Sequence, residues 1–281
     1  MTTLNLIGAG RVGRTLATLW ARHGVFEIQD VLTSSAGSAQ AACAAIGAGT
    51  PATSLHAMRP AEVWMVAVQD ARIAEVATAL ADSHNAKGAQ GEKGAKGAYP
   101  IVFHCSGTQH AGSLQPLADL GWRTASAHCI LSFADVAVAV QQFAGTACAL
   151  EGDASACDTL ERAFSTLGAQ CFGVASDDKV LYHAAAVFAT NFLPVIQSVA
   201  EAAWTRSGVP AHLLPGLRAT LLRNAVDNIT RLGPAGALTG PAARGDVAAI
   251  SRQAAVVDRW DAPSGEAYRA LSALALRLAG H

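Results

Sequence analysis

Short apolar runs alternate with amphipathic stretches along the first half of the chain. The apolar runs predict strands at Leu4–Ile7, Val31–Thr33, Val63–Val68, Ile101–His104, Thr124–His128 and Thr146–Leu150. The stretches between them predict helices at about Val12–His23, Ser38–Ile46, Ile73–Asp82 and Ser113–Leu120. Such alternation is typical of a parallel sheet with crossover helices. The pattern therefore predicts a doubly wound α/β domain over residues 1–150, followed by a βα extension over 151–176 (helix about 155–167, strand about 170–174).

The pattern becomes entirely helical after about residue 176. From Asp178 to about Arg206, apolar residues recur at helical spacing: Leu181, Ala185, Phe188, Phe192, Ile196 and Val199. Further helices are predicted at about 211–231, 246–259 and 264–279, with Gly, Pro, Ser or Asp at their ends. We therefore expect an all-helical domain over 177–281.

One segment, residues 83–99, interrupts the first domain with glycine at every third position and Lys, Gln and Ala between. Four such triplets without proline cannot hold a collagen helix. The segment is predicted to be a mobile, solvated loop between a helix and a strand.

A glycine-rich turn follows the first predicted strand and leads directly into the first helix. It reads Gly8, Ala9, Gly10, Arg11, Val12, Gly13. In a dinucleotide-binding turn the first glycine permits the sharp bend, the second lets the pyrophosphate approach the backbone, and the third allows close helix packing. The helix N-terminus then supplies N–H donors to the phosphates. The strand–turn–helix context predicts an NAD(P) site.

The end of the second predicted strand indicates which dinucleotide binds. NAD enzymes usually carry Asp or Glu there for the ribose 2′-hydroxyl, whereas this chain has Thr33, Ser34 and Ser35. Hydroxyl groups can donate to a 2′-phosphate, and Arg11 lies in the nearby turn. NADP is therefore favoured, and NAD remains an alternative.

Ligands of open α/β sheets bind beyond the carboxyl ends of the strands. The residues at those ends that are candidates to line the cofactor or substrate are Val68, Ser106, Gly107, His128 and Ser132. His104-Cys105 and His128-Cys129 raise the alternative of zinc. Neighbouring strand residues point to opposite faces, so each pair offers one ligand at most, and no metal site is expected.

The long helix carries polar residues inside an apolar stretch. Lys179 and His183 are four residues apart and share a face, and Asn191 lies about two turns further on. Reduction of a carbonyl or imine requires a proton donor and a group that orients the acceptor. His183 or Lys179 can donate, and the Asn191 amide can orient; a solvated Lys179 and a structural His183 are the alternatives.

A turn from Gly236 to Asp246 precedes one of the later helices, and Asp246 is its predicted N-cap. Arg244 in this turn can hold a substrate carboxylate bidentately, or it can be an ordinary surface arginine. Thr239 and Gly240 lie in the same turn and are further candidates for substrate binding.

Composition narrows the class of protein. The net charge of −1 gives no electrostatic case for nucleic acid or an anionic membrane. The uncharged stretch Ala184–Ala200 is short and contains Asn, Pro, Gln and Ser, so it is not predicted to span a membrane. No signal peptide is recognised, and the six scattered cysteines are typical of reduced, mostly buried thiols, so a cytoplasmic protein is expected.

Several motifs in fixed order resemble those of a known protein family. They are Gly8-x-Gly10-x-x-Gly13, His104-Cys105-Ser106-Gly107, His128 with Ser132-Phe133, Tyr182-His183-Ala184-Ala185-Ala186, Asn191, and Leu238-Thr239-Gly240-Pro241-x-x-Arg244-Gly245-Asp246. The chain resembles an uncharacterised family that joins a Rossmann-like NADP-binding domain to a helical domain of unknown function. It is more distantly similar to pyrroline-5-carboxylate reductase, ketopantoate reductase, and the 6-phosphogluconate and 3-hydroxyisobutyrate dehydrogenases.

The resemblance implies a helical domain of 6-phosphogluconate-dehydrogenase type and homodimers formed through it. Two departures bear on mechanism. Family members tend to have proline at the positions of Gln69 and Cys129, and the hydroxyacid dehydrogenases have Asn four residues after a catalytic Lys, where this chain has His183 after Lys179.

Together these features predict an NADP-dependent reductase of a carbonyl or imine on a small carboxylate substrate. A nucleotide-binding sensor or scaffold without turnover is the alternative.

Overall fold

The computed structural model describes residues 1–86 and 99–281. It divides into two compact units, Met1–Val187 and Phe188–His281. Most of the predicted loop at 83–99 lies outside the described residues. Its first part is helical instead, because the third helix continues to Ala86.

The first unit contains an eight-stranded sheet in the order β3-β2-β1-β4-β5-β6-β7-β8. The strands are β1 Thr2–Ile7, β2 Phe26–Leu32, β3 Thr50–Ala52, β4 Val63–Val66, β5 Ile101–His104, β6 Arg123–Cys129, β7 Ala147–Gly152 and β8 Gln170–Gly173. All neighbouring strands are parallel except β6 and β7. The strand order reverses between β1 and β4, which is where doubly wound sheets bind ligands. The predicted Rossmann-type, mainly parallel sheet is confirmed.

The α-helices that accompany the sheet in the described part of the first unit are α1 Arg11–Arg22, α2 Ala36–Ile46, α3 Ile73–Ala86, α4 Gln115–Ala118, α5 Val136–Gln142, α6 Ala154–Ser165 and α7 Lys179–Ala186. The sequence pattern did not predict strand β3 or helix α5. Strand β3 has only three residues and contains Pro51, which an edge strand tolerates. Helix α5 is short, and only Ala139 within it is buried, so it shows little periodicity.

Apolar side chains from alternate strand positions form a core on each face of the sheet. Leu4 and Leu6 of β1 belong to one core, and Ile7 belongs to the other. Trp20 of α1 anchors the first core: its indole N–H donates to the Ala163 carbonyl at 3.2 Å, and its ring meets Phe164 edge-on at 5.2 Å. Both cores hold the strand ends in place.

The second unit is helical, as predicted. Its helices are α8 Phe192–Arg206, α9 Leu214–Ala237, α10 Val247–Trp260 and α11 Ala262–Leu278. Gly233, at φ 71°, interrupts α9. A π-helical turn, Val187–Asn191, joins α7 to α8. The units divide at Val187 and Phe188, within the helical run, whereas the sequence pattern suggested a boundary at 176 and 177.

The helical run Ser176–Arg206 is long and apolar enough to cross a membrane, judged by length and composition alone. Its most apolar window has a mean hydropathy of 1.3, and none of that window is buried. No residue of α8 or α9 is buried either, which is unusual for helices of 15 and 24 residues.

Two glycines, Gly145 before β7 and Gly152 at its last position, allow a test of the sheet geometry. A Cβ at Gly152 (φ 125°) would lie 2.5 Å from the Thr124 carbonyl oxygen and 2.7 Å from the Ala125 Cα, whereas a Cβ at Gly145 (φ 85°) would meet nothing within 4 Å. We expect Gly145→Ala to cost about 1–2 kcal/mol from its backbone conformation alone. Gly152→Ala should cost at least about 3 kcal/mol, because backbone atoms of β6 must also move. Urea unfolding of the two variants measures their free energies of unfolding. Equal losses of this free energy in the two variants would contradict the antiparallel register.

Candidate functional site

The glycine turn between β1 and α1 has open space where a dinucleotide phosphate would bind. A Cβ at Gly8 would lie 2.6 Å from the Ala67 carbonyl oxygen, and one at Gly13 would lie 2.6 Å from the Gly8 carbonyl oxygen. A Cβ at Gly10 would meet nothing within 4 Å. No side chain of the described residues caps α1, whose first turn also lacks acidic residues. The free N–H groups and the helix dipole therefore favour an anion at Gly10.

Hydroxyl groups gather where β2 ends. Ser35 and Ser38 cap the N-terminus of α2 reciprocally, and the Thr33 hydroxyl donates to the Ser35 carbonyl at 3.0 Å. Ser34 is exposed between them, and Arg11 is exposed on the glycine turn. Val68, which follows β4, would touch a Cβ at Gly8 at 2.9 Å. The arrangement fits a nucleotide whose 2′ position is met by hydroxyl groups rather than by a carboxylate.

Lys179 begins α7 and is completely buried. Its Nζ donates to the Ser126 Oγ at 2.7 Å and approaches the Ser106 carbonyl at 3.4 Å. Burial lowers the pKa of the Lys179 amine, and the carboxylates of Glu151 and Asp70 oppose that effect. Lys179 is therefore not a solvated first-turn residue; it links α7 to the middle of β6 and to the loop after β5.

Ser106 connects this amine to the end of β4. Its hydroxyl donates to the Asp70 carboxylate at 2.6 Å, and the Thr108 hydroxyl donates to the same oxygen at 2.9 Å. The Ser106 N–H donates to Nδ1 of His104, so Nε2–H of that ring donates to the His110 carbonyl. Burial lowers the pKa of His104 to about 4, which keeps its ring neutral.

Two imidazoles face the backbone of Gly107. A Cβ placed on Gly107 would lie 2.3 Å from Nδ1 of His183 and 2.9 Å from Nε2 of His128. The ring centroids of the two histidines are 5.4 Å apart. Nδ1 of His183 is buried and has no hydrogen-bond partner within the described parts of the chain. A buried nitrogen without a partner is costly and often marks a place for a ligand or water.

Tyr182 sets the orientation of His128. Its hydroxyl lies 2.9 Å from Nδ1 of His128, and the two rings are perpendicular. Burial, assisted by His183 and Lys179, lowers the pKa of His128 to about 4, and burial raises the pKa of the Tyr182 hydroxyl. A neutral imidazole and a protonated phenol follow. In the tautomer with the proton on Nε2, the Tyr182 hydroxyl donates to Nδ1, and Nε2 of His128 is an N–H donor near Gly107. In the other tautomer, Nδ1–H donates to the Tyr182 oxygen, whose hydroxyl donates to the His128 carbonyl at 3.5 Å.

The arrangement thus offers a donor and an unpartnered nitrogen at one spot. Nε2–H of His128 can hydrogen-bond an oxygen or nitrogen there, and Nδ1 of His183 can hold or accept a proton. Both belong to the unit that contains the glycine turn. This pair can orient and protonate a polar atom, which is acid–base chemistry.

The structure gathers five of the predicted residues within the first unit: Ser106, Gly107, His128, Lys179 and His183. Ser132 is exposed in the loop after β6. Asn191, Thr239, Gly240 and Arg244 belong to the second unit, where Asn191 ends the π-helical turn and accepts from the Thr190 hydroxyl at 2.9 Å. The substrate-binding or orienting roles predicted for Ser132, Asn191, Thr239, Gly240 and Arg244 stay predictions. The same holds for the contacts of Ala9 and Val12 with the cofactor. Within residues 1–86 and 99–281, no group of three or more ligand side chains could hold a metal ion.

The participants that were not predicted as site residues include Asp70, Ser126 and Tyr182. Ser126 lies inside a predicted strand whose small residues give no sign of a buried amine beside it. Tyr182 was noticed only as part of a motif. Asp70 could have been identified, because it follows β4 at the same sheet edge as Ser106.

Two domain models match the chain. Residues 2–129 match a Rossmann-like domain, and residues 146–275 match a domain of unknown function, DUF2520. No curated protein matches the chain.

Solved structures of low sequence identity share the fold over nearly the whole chain. A protein from Thermotoga maritima is 24% identical, with a TM-score of 0.74, over 99% of this chain and 98% of that one. A reductive aminase from Aspergillus terreus, in complex with NADPH and ethyl-5-oxohexanoate, is 16% identical, with a TM-score of 0.65, over 99% and 93%. A pyrroline carboxylate reductase from Plasmodium falciparum with NADP bound is 11% identical, with a TM-score of 0.58, over 99% and 98%.

These matches confirm the architecture that the motifs indicate. Over nearly its whole length, the chain shares its fold with reductases whose structures hold NADP or NADPH. Along the chain, a part similar to a Rossmann-like domain is followed by a part similar to DUF2520.

Proposed function

We propose that the protein is an NADP-dependent reductase acting on the carbonyl or imine of a small carboxylate substrate. The observation that carries this proposal is the unpartnered, buried Nδ1 of His183 facing Gly107, in the same unit as an uncapped phosphate turn. A reductase of this kind needs a phosphate cradle and a proton-bearing group, and this unit offers both.

The residues around Gly10 fit a pyrophosphate, since the space is open and the helix N–H groups are free. NADP is favoured over NAD because hydroxyl groups stand where a carboxylate would bind the 2′-hydroxyl of NAD. Two proteins of the same fold hold NADPH or NADP, which supports the proposal by likeness of fold alone.

When bound, NADPH supplies a hydride to the carbon of a C=O or C=N bond. His128 directs Nε2–H toward the spot beside Gly107 and orients the substrate's oxygen or nitrogen there. His183 gives that atom its proton from Nδ1. Lys179 is a positioning residue in this proposal, because its amine is buried against Ser126 and Ser106. Asn191 and Arg244 are retained as the predicted orienting and carboxylate-binding residues.

Cofactor binding is tested by Gly10→Ala, with Gly216→Ala in α9 as the matched control. Neither added methyl group meets another atom within 4 Å, so neither variant should lose much stability. The methyl group on Gly10 would occupy the space assigned to the pyrophosphate. NADPH fluorescence titration should show a loss of affinity of at least about tenfold in Gly10→Ala alone. The wild type should bind NADPH more tightly than NADH.

Equal affinity for NADPH in the two glycine variants would contradict the cofactor assignment. Failure of the wild type to bind either nucleotide at millimolar concentration would overturn it.

Proton transfer is tested by His183→Ala, with the exposed His212→Ala as control. NADPH consumption is followed against a panel of 2-keto acids and cyclic imino acids. We expect kcat to fall about 10²–10⁴-fold in His183→Ala, as for loss of a general acid, with NADPH affinity retained. Retained kcat would remove His183 from the mechanism. Wild type that binds NADPH but turns over no member of the panel would favour the sensor.

We further propose that a second copy of the chain covers α8 and α9. Apolar side chains on α8 are broadly exposed, with Phe192 at 42%, Val195 at 58% and Ile196 at 41%. Ile229 on α9 is 49% exposed. Apolar surface on this scale marks an interaction surface, and twofold homodimers are the commonest oligomers. The charged residues of these helices, which include the ion pair Arg218–Glu201, favour a protein partner over lipid.

Light scattering without detergent should give twice the chain mass of 28.7 kDa. The double substitution Ile196→Glu and Ile229→Glu should shift the mass toward the monomer, whereas Val138→Glu on exposed α5 should not. A monomeric wild type would overturn the dimer, and a wild type that sediments with phospholipid vesicles would assign the surface to a membrane.

A further inference from the structure

Three cysteines that are far apart in the sequence lie side by side on the sheet. Cys129 on β6 pairs with Cys148 on β7, and Cys148 pairs with Cys171 on β8. Residues paired in register point to the same face of a sheet. The three side chains therefore form a thiol row across three neighbouring strands.

Neighbouring thiols of this row interact. Sγ of Cys129 lies 3.5 Å from Sγ of Cys148. The Cys171 thiol is near enough to Cys148 for each to shift the pKa of the other, and its Sγ lies 4.0 Å from the Glu161 carbonyl oxygen. Cys129 and Cys148 are buried, whereas Cys171 is half-buried on the terminal strand of the sheet. The row thus runs from a thiol that solvent reaches to a pair that solvent does not.

We propose that this row is an oxidation site whose product is a disulfide between Cys129 and Cys148. Paired residues of antiparallel strands have Cα atoms about 4.5–5.5 Å apart, within the usual range for a disulfide. The sulfur atoms need only to close from 3.5 Å to a bond of about 2 Å. In the described chain, no group of cysteines, histidines and acids is arranged to hold a metal.

A peroxide is the oxidant, and Cys171 is the entry point. The Cys171 sulfur attacks the peroxide O–O bond, which gives a sulfenic acid and one water. Cys148 displaces the sulfenic hydroxyl as a second water and forms a Cys148–Cys171 disulfide. Cys129 then attacks the Cys148 sulfur and releases the Cys171 thiol. In sum, two thiols lose two electrons and two protons, and hydrogen peroxide becomes two waters.

The environment makes this oxidation slow. Interaction with the Cys148 thiol raises the pKa of Cys171, as does burial, so the reactive thiolate is scarce. The buried product is correspondingly shielded from reductants. The row therefore responds to sustained rather than brief oxidation. The bond forms next to His128, because Cys129 follows it directly in β6.

The test treats the folded protein with hydrogen peroxide, then denatures it and alkylates the free thiols. We expect the number of free thiols to fall from six to four and the mass of the chain to fall by about 2 Da. Chymotrypsin cleaves after Phe133 and Phe143 and separates Cys129 from Cys148, and cleavage after Glu151 separates Cys148 from Cys157. Mass spectrometry should then find one peptide pair, joined through Cys129 and Cys148.

Alanine variants identify each role, because Cys→Ala changes buried volume little. Cys148→Ala should form no cross-link and should leave Cys171 at the sulfenic acid stage, whereas Cys43→Ala, outside the row, should lose two thiols at the wild-type rate. Cys171→Ala should still form the disulfide, but more slowly, on the order of tenfold. A cross-link through any other pair, or sulfinic acids without a cross-link, would overturn the site. An undiminished rate in Cys171→Ala would overturn the entry step.

Discussion

The buried amine of Lys179 is the constraint on which the candidate site depends. Removing an ammonium group from water costs several kcal/mol, so the amine must keep the oxygens that receive it. Those oxygens belong to Ser126 on β6 and to Ser106 after β5, and Ser106 is in turn bound to Asp70 after β4. One side chain thereby links α7 to the middle of β6 and to the loop after β5, and through Ser106 to the segment after β4.

The position of Lys179 also fixes the next turn of α7. Tyr182 and His183 follow Lys179 by three and four residues, so both rise on the same side of α7. From there Tyr182 meets His128, and His183 meets the backbone of Gly107. A side chain on Gly107 would collide with the imidazoles of His128 and His183, which explains why the chain has glycine at this position after β5.

Local features of the site were predictable from the sequence, and long-range ones were not. The glycine turn is defined by neighbours along the chain, so its strand, bend and helix were all predicted. His183 and Gly107 were identified as candidates, but their mutual approach depends on how deeply α7 packs, and Ser126 gave no signal. The thiol row could not be predicted from the sequence either, because it also depends on how distant segments pair. A connection that contains α5 favours a parallel return, yet β7 runs antiparallel to β6, and only that direction brings Cys148 opposite Cys129.

The antiparallel pairing of β6 and β7 also tethers the segment between them. Residues 130–146 leave the sheet next to His128 and rejoin it at the same rung, where the Ile130 N–H donates to the Ala147 carbonyl at 2.8 Å. The ladder has already met most of the entropic cost of closing this loop, and doubling the length of a loop adds only about 0.6 kcal/mol. The segment can therefore lengthen or shorten in evolution while its anchors, and the imidazole beside them, keep their places.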